Sequence, residues 1–183
     1  MQNKLIASCK SFRPLPLAIA CAGALMLAGC GGSDDKQPDT IPTLTGDAPI
    51  VVAHRGASGY LPEETLEAYA KAIDLGADVI EPDLISTKDG VLIARHDPNL
   101  AYSTDVASHP EFAARKKTTQ VDGETQTGWF ASDFTLAEIK TLGGISTDAE
   151  RPQQYNGLYK IVTFQEIIDL VKAKAKETGR SIA

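Results

Sequence analysis

Glu81 and Asp83 are the residues whose chemistry is hardest to dismiss. They stand two apart in a segment that is otherwise apolar, with Val79 and Ile80 before them and Leu84 and Ile85 after. On an extended strand such residues point to the same side. Two carboxylates in a buried strand repel each other and lose hydration, which is very costly unless a cation compensates them. Oxygen-only ligands suit a hard ion, Ca²⁺ or Mg²⁺, better than zinc. From the residues alone the pair reads either as such a metal site or as two solvated charges. His54 and His96 each follow a short apolar run, but an isolated histidine is more often a surface or core residue than a catalyst.

The elements that must position these groups read as strand, helix, strand. Residues 49–53 (PIVVA) form a short β-branched run that ends at His54-Arg55-Gly56, the pattern of a buried parallel strand stopped by glycine. Helical spacing of Leu66, Tyr69, Ala70 and Ile73 predicts a helix over 64–75, with Gly76 as its C-terminal stop. Residues 78–85 read as a second strand, 88–90 as a turn and 91–95 as a third strand ending at His96-Asp97. Residues 99–129 are polar without a sustained period and read as a long surface loop or inserted excursion. Helices are expected over 135–142 and 163–177, each opened by a Thr-x-x-Glu capping box (Thr135/Glu138 and Thr163/Glu166). Gly179 closes the last one, and 181–183 look like a strand beginning. The expectation is an α/β protein with a parallel sheet. In a (β/α)8 barrel the catalytic groups sit at the C-terminal ends of strands, where His54, Glu81, Asp83 and His96 fall.

Four ordered blocks then carry a family resemblance. His54-Arg55-Gly56-Ala57-Ser58-Gly59-Tyr60-Leu61-Pro62-Glu63 with Thr65, Glu81-Pro82-Asp83-Leu84, Thr87-Lys88-Asp89-Gly90 and His96-Asp97 resemble the successive motifs of the glycerophosphodiester phosphodiesterase family. The spacing fits too, with 27 residues from His54 to Glu81 and 42 from His54 to His96. The likeness is nearest to the bacterial periplasmic branch and continues more loosely through Thr104-Asp105-Val106 and 135–142 to Ala183. It does not cover residues 1–48. The resemblance implies a TIM barrel that hydrolyses glycerophosphodiesters to glycerol 3-phosphate and an alcohol. By the same resemblance, His54 and His96 are the general acid–base pair, and Glu81 and Asp83 hold a divalent ion, Ca²⁺ or Mg²⁺. Arg55 pairs with the substrate phosphate, and Glu63 lies on the metal or glycerol side of the pocket. A phospholipase D-like toxin would share the paired histidines, but Glu63-Glu64-Thr65 and Lys88-Asp89-Gly90 favour the phosphodiesterase.

Three departures from the family pattern stand out. Glu64 replaces the usual Asn or His and is expected at the pocket rim. Tyr102 stands near where many members have an Arg, so a second phosphate contact is expected to be missing. The family's third metal-binding Glu falls on a later strand, and this chain ends at Ser181-Ile182-Ala183. Because a complete barrel takes about 250 residues, residues 49–183 are expected to be its N-terminal part. The alternative reading is a truncated, catalytically inactive lipoprotein fragment of the same family.

Ahead of the globular part, residues 1–29 read as an export signal. Lys4, Lys10 and Arg13 precede an apolar run over 15–27, too short for the ~20 residues a spanning helix needs. Leu27-Ala28-Gly29-Cys30 resembles the bacterial lipobox, which implies lipidation at Cys30. Cys9 and Cys21 leave with the signal, so Cys30 has no partner for an internal disulfide. Residues 30–48, rich in Gly, Ser, Asp, Thr and Pro, read as a tether. The expected location is the cell envelope on the periplasmic side, with Gly31 pointing to the outer membrane. Removing the three cations of the signal takes the formal charge from −6 to −9. Such acidity argues against nucleic-acid binding. A site for an anionic small-molecule substrate must therefore supply its own positive charge.

Overall fold

The structure, a computed structural model, describes Leu44 and residues 46–183. The signal peptide over 1–29, the lipidation residue Cys30 and most of the tether lie outside the described residues. Strand β1 (Val52–His54) pairs in parallel with β2 (Val79–Glu81), in the register Val52↔Val79, Ala53↔Ile80 and His54↔Glu81. Helix α1 (Leu66–Asp74) connects them and completes a β-α-β unit. It starts two residues later than the periodicity suggested. Thr65 takes the N-cap position and accepts from the Ala68 N–H at 3.2 Å, which leaves Glu64 in the turn before the helix. Gly76 follows the helix with φ 101°, a left-handed position that a glycine adopts without a Cβ clash.

The expected second strand over 78–85 is two strands, not one. Pro82 has no N–H to give a ladder, and the chain changes sheet there. Beyond it, β3 (Leu84–Ser86) pairs antiparallel with β4 (Leu92–Ala94). The third strand therefore returns along its predecessor as a hairpin, where a third parallel barrel strand was expected. The β4 edge also reaches the start of the last helix, with the Ala94 N–H donating to Val162 O at 2.9 Å. On β2, the Ile80 N–H donates to Ala183 O (2.7 Å) and the Ala183 N–H to Asp78 O (3.0 Å). Residues 181–183 do not form a regular strand, but Ala183 takes a strand's place beside β2.

The stretch read as a loop is largely built. It holds 3-10 turns at Val106–Ser108 and Pro110–Arg115 and a hairpin of β5 (Lys117–Val121) and β6 (Glu124–Gly128). Asp122 and Gly123 make its two-residue turn with φ 49° and 85°, the sequence and geometry that match the right-handed twist of a hairpin. Both capping boxes form as read, at the head of the short α2 (Leu136–Ile139) and of α3 (Phe164–Thr178), and Gly179 ends α3 in the left-handed conformation. α2 stops at Ile139, short of the expected 142.

Two apolar clusters hold these elements. Ala53, Tyr69, Ile73, Ile80, Ala94, Val162 and Ile167 join the β1–β2 pair to α1 and α3. Ile93, Leu100, Phe112, Trp129, Phe134, Ile139, Leu142 and Ile161 pack beneath the excursion. Ile93 is fully buried, and its truncation to Ala would cost about 2–5 kcal/mol.

Candidate active site

The parallel register of β1 and β2 places His54 directly beside Glu81. His54 Nε2 lies 3.9 Å from Glu81 Oε2. Two residues in the left-handed region then shape the loop after β1, Arg55 (φ 59°) and Glu64 (φ 60°). Neither is glycine, and each such conformation costs on the order of 1–2 kcal/mol. The strain is held by a backbone bond between the two, from the Glu64 N–H to Arg55 O at 3.1 Å, and by another from the Arg55 N–H to Glu81 O at 2.9 Å. Gly56 follows at φ 84°, where an added Cβ would meet the Ala68 backbone carbon and Cβ at 2.9 Å. The glycine of His-Arg-Gly is therefore required by close approach to α1 as well as by its backbone angle.

Arg55 gathers the acids. Its Nε lies 2.9 Å from Asp83 Oδ2, and its Nη1 donates to Glu63 Oε1 at 3.2 Å. Glu63 is buried and also accepts from Thr147 Oγ1 (3.0 Å) and from Arg151 Nη1 (3.5 Å). His54, Arg55, Glu63, Glu81 and Asp83 thus form one connected cluster. His96 joins it less directly. Its Nδ1 lies 3.3 Å from Asp97 Oδ2, and the link to the cluster runs through the backbone of its neighbour, where the Arg95 N–H donates to Asp83 O at 3.0 Å.

Beneath the cluster lie two charged residues with no exposure at all, Glu64 and Arg95. Glu64 was expected at the rim and is instead at the bottom. Oε2 accepts from the Tyr69 hydroxyl and Oε1 from the Asp83 N–H at 3.0 Å. Burial pushes its carboxyl up to about 7, against the lowering effect of those hydrogen bonds and of Arg95. Arg95 Nη1 donates to the carbonyls of Glu63 (3.0 Å) and Glu64 (3.3 Å). Burial lowers its guanidinium to about 10, so it remains a cation at neutral pH. Sequence reasoning missed Arg95, Thr147 and Arg151. A charged residue closing the apolar run 91–94 was a signal for the first. The other two reach Glu63 from more than eighty residues away and left none.

Glu81 Oε2 is buried and has no hydrogen-bond partner among the described residues. A bare carboxylate oxygen of that kind suits a hard cation. Asp83 Oδ2 is buried as well and faces the Arg55 charge without an aligned hydrogen bond. Glu81 thus presents an oxygen of the kind a divalent ion takes, while the Asp83 oxygen is compensated by Arg55. The two acids no longer share one strand, however. Glu81 ends β2, and Asp83 lies beyond Pro82, so the break in the chain brings them to the site rather than the pleat. Among the described residues no group of three His, Cys, Asp or Glu could hold a metal.

Histidine and carboxylates gather at strand ends of an α/β fold, with an arginine between two of the acids. Comparison with known proteins narrows the class. Residues 54–183 match the model of the glycerophosphoryl diester phosphodiesterase family, and the chain belongs to that family. It is 48% identical over 172 residues to a glycerophosphodiester phosphodiesterase of Arabidopsis thaliana, covering 90% of this chain and 45% of that one. It is 36% identical over 177 residues to the glycerophosphodiester phosphodiesterase of Haemophilus influenzae, covering 91% and 45%. Among solved structures it is similar to an Oleispira antarctica phosphodiesterase in complex with the product sn-glycerol-3-phosphate. There the TM-score is 0.50 at 28% identity, over 69% of this chain and 41% of that one. The chain spans a little under half the length of these relatives. Its fold is that of the family, an α/β barrel represented here in part.

Proposed function

We propose that the protein hydrolyses glycerophosphodiesters to glycerol 3-phosphate and an alcohol, with His54 and His96 sharing the proton transfers. The observation that carries this reading is the adjacency of His54 to Glu81 at the ends of paired strands, with a buried Glu81 oxygen that no hydrogen bond satisfies among the described residues. One imidazole takes a proton from the attacking nucleophile, and the other gives one to the leaving alkoxide, a pair of roles that imidazole chemistry suits. Arg55 is oriented by Asp83 and Glu63, and its planar guanidinium is placed to donate to a phosphoryl oxygen. Glu63, locked by three donors, holds Arg55 and the 147–151 loop at the substrate side of the pocket. A divalent ion, Ca²⁺ or Mg²⁺, held by Glu81 and Asp83 would supply electrophilic polarisation of the phosphoryl group. Export as a lipoprotein of the bacterial periplasmic type, anchored through Cys30 and facing the periplasm, belongs to the same reading.

The test is the intact protein assayed on glycerophosphocholine. His54→Ala and His96→Ala should each lose about 10²–10⁴-fold in rate while remaining folded. Glu81→Ala should raise the ion concentration needed for half-maximal rate. Wild-type turnover in either histidine variant would remove that residue from the mechanism. The intact mass of membrane-extracted protein reads the anchor, and an unmodified Cys30 would refute it.

A further inference from the structure

A second charged feature lies away from this site, at the other end of the β3–β4 hairpin. Asp83 and His96 flank the open end of that hairpin, and Lys88 sits in its turn. There a cleft of about 500 Å³ is walled by Lys88, Arg115, Lys116, Lys117, Ser132 and Asp133. Four cations around one cleft are unusual on a chain whose formal charge is −6.

Three of the four cations are restrained. Arg115, Lys116 and Lys117 are consecutive, and each lies over at least one aromatic ring. The Arg115 guanidinium lies 4.8 Å from the Phe134 centroid and 5.3 Å from that of Phe112. Lys116 Nζ is 5.1 Å from the Trp129 ring, and Lys117 Nζ is 5.6 Å from that of Phe130. All four rings belong to the buried interior. Such contacts restrain long side chains that would otherwise sample many rotamers, so less ordering remains for a ligand to impose.

Charge compensation is incomplete. Arg115 pairs with Glu138, and Lys117 pairs with Asp133 at 2.6 Å. Lys88 and Lys116 make no ion pair among the described residues. Two carboxylates against four cations leave two positive charges facing one cavity, with the Ser132 hydroxyl beside them. A phosphate group near neutral pH carries roughly −1.5 to −2 and three or more acceptor oxygens, which matches both the excess charge and the number of donors. A carboxylate would supply half that charge.

We propose that this cleft binds a phosphate group, separately from the candidate active site, with Lys88 and Lys116 as its principal donors. The same chemistry is offered by inorganic phosphate and by the headgroup of a phosphomonoester lipid. The reading does not depend on the proposed hydrolysis.

Trp129 is the single tryptophan of the chain and carries Lys116 on its ring, so its fluorescence reports on the cleft. The purified protein is titrated with inorganic phosphate and, in a second arm, with phosphatidic acid in phosphatidylcholine vesicles against phosphatidylcholine alone. A saturable Trp129 response is expected in at least one arm. Response to phosphate alone identifies a small-anion site, and response to the acidic vesicles alone identifies a lipid headgroup site. Lys88→Gln leaves Lys116 on its ring and keeps the Lys88 backbone bond to Phe134 O, and it breaks no side-chain hydrogen bond or ion pair among the described residues. It should weaken binding about tenfold or more, as should the reversal Lys88→Glu, with the folded circular-dichroism spectrum unchanged. Arg55→Gln, in the other site, should bind as wild type does. No response in either arm, or titration of Lys88→Gln identical to wild type, overturns the proposal. So does loss of the response in Arg55→Gln alone.

Discussion

Arg95 donates from one nitrogen of its guanidinium to the backbone carbonyls of both Glu63 and Glu64, at 3.0 and 3.3 Å. Its own N–H holds the Asp83 carbonyl at 3.0 Å. One fully buried residue thus ties the strained turn that carries Glu63 to the break in the chain that carries Asp83. Replacing it with methionine keeps much of the volume but leaves two buried carbonyls without their donor. An unsatisfied buried acceptor costs about 1–3 kcal/mol, so Arg95→Met should lower unfolding free energy by roughly 2–4 kcal/mol. Arg95→Lys should recover only part of this, because an ammonium is more strongly hydrated than a guanidinium and costs more to bury. Urea denaturation of the variants measures it. Midpoints equal to wild type would show the Arg95 bonds to be incidental.

Glu64 offers a sharper pair of substitutions. Its two oxygens receive the Tyr69 hydroxyl and the Asp83 N–H. Glutamine can keep both contacts, its carbonyl oxygen accepting from Asp83 and its amide donating to the Tyr69 oxygen. Leucine can keep neither. Glu64→Gln should therefore melt close to wild type, while Glu64→Leu loses about 2–4 kcal/mol as two buried donors go unpaired. A thermal scan of the two decides it. Equal melting temperatures would show that the carboxylate shape, not its hydrogen bonding, fills the site.

Glu138 makes stability sensitive to acid. The Arg115 guanidinium beside it, donating from Nη1 to Oε2 at 3.0 Å, holds its carboxyl down at about 2, and the Thr135 N–H adds to the effect. A folded value below the ordinary 4.5 means that the unfolded chain takes up the proton first as pH falls. The contribution is therefore fully present above about pH 5, fades as pH drops below 4.5, and is gone near 2. Glu138→Gln should be less stable than wild type at pH 7, and the difference should shrink between pH 5 and pH 2. Melting temperatures across that window test the sign. A gap that widens in acid would exclude the Arg115–Glu138 pair as its source.

What could be read from the residues alone was local or ordered along the chain. Thr135/Glu138 and Thr163/Glu166 specify their helix starts because a capping box closes within four residues. Gly179 stops α3 for an equally local reason. His54, Arg55, Glu63, Glu81, Asp83 and His96 were legible as blocks in order, and the structure links the first five into one cluster. The hairpin over 117–128 reads as part of a loop because its strands, Lys-Thr-Thr-Gln-Val and Glu-Thr-Gln-Thr-Gly, have no apolar face to betray them, although Asp122-Gly123 suits a hairpin turn. The rest was decided by tertiary packing. The segment over 78–85, with Val79-Ile80 and Leu84-Ile85 on either side of Pro82, does not show that its two halves will join different sheets, since strand partners are chosen by distant segments. Glu64 reads as polar beside other polar residues, and only the closure of α1 against the strands removes it from water. Thr147 and Arg151 meet Glu63 because the chain returns there from a long way off. Burial and long-range pairing are properties of the packed molecule, and no window of sequence contains both partners.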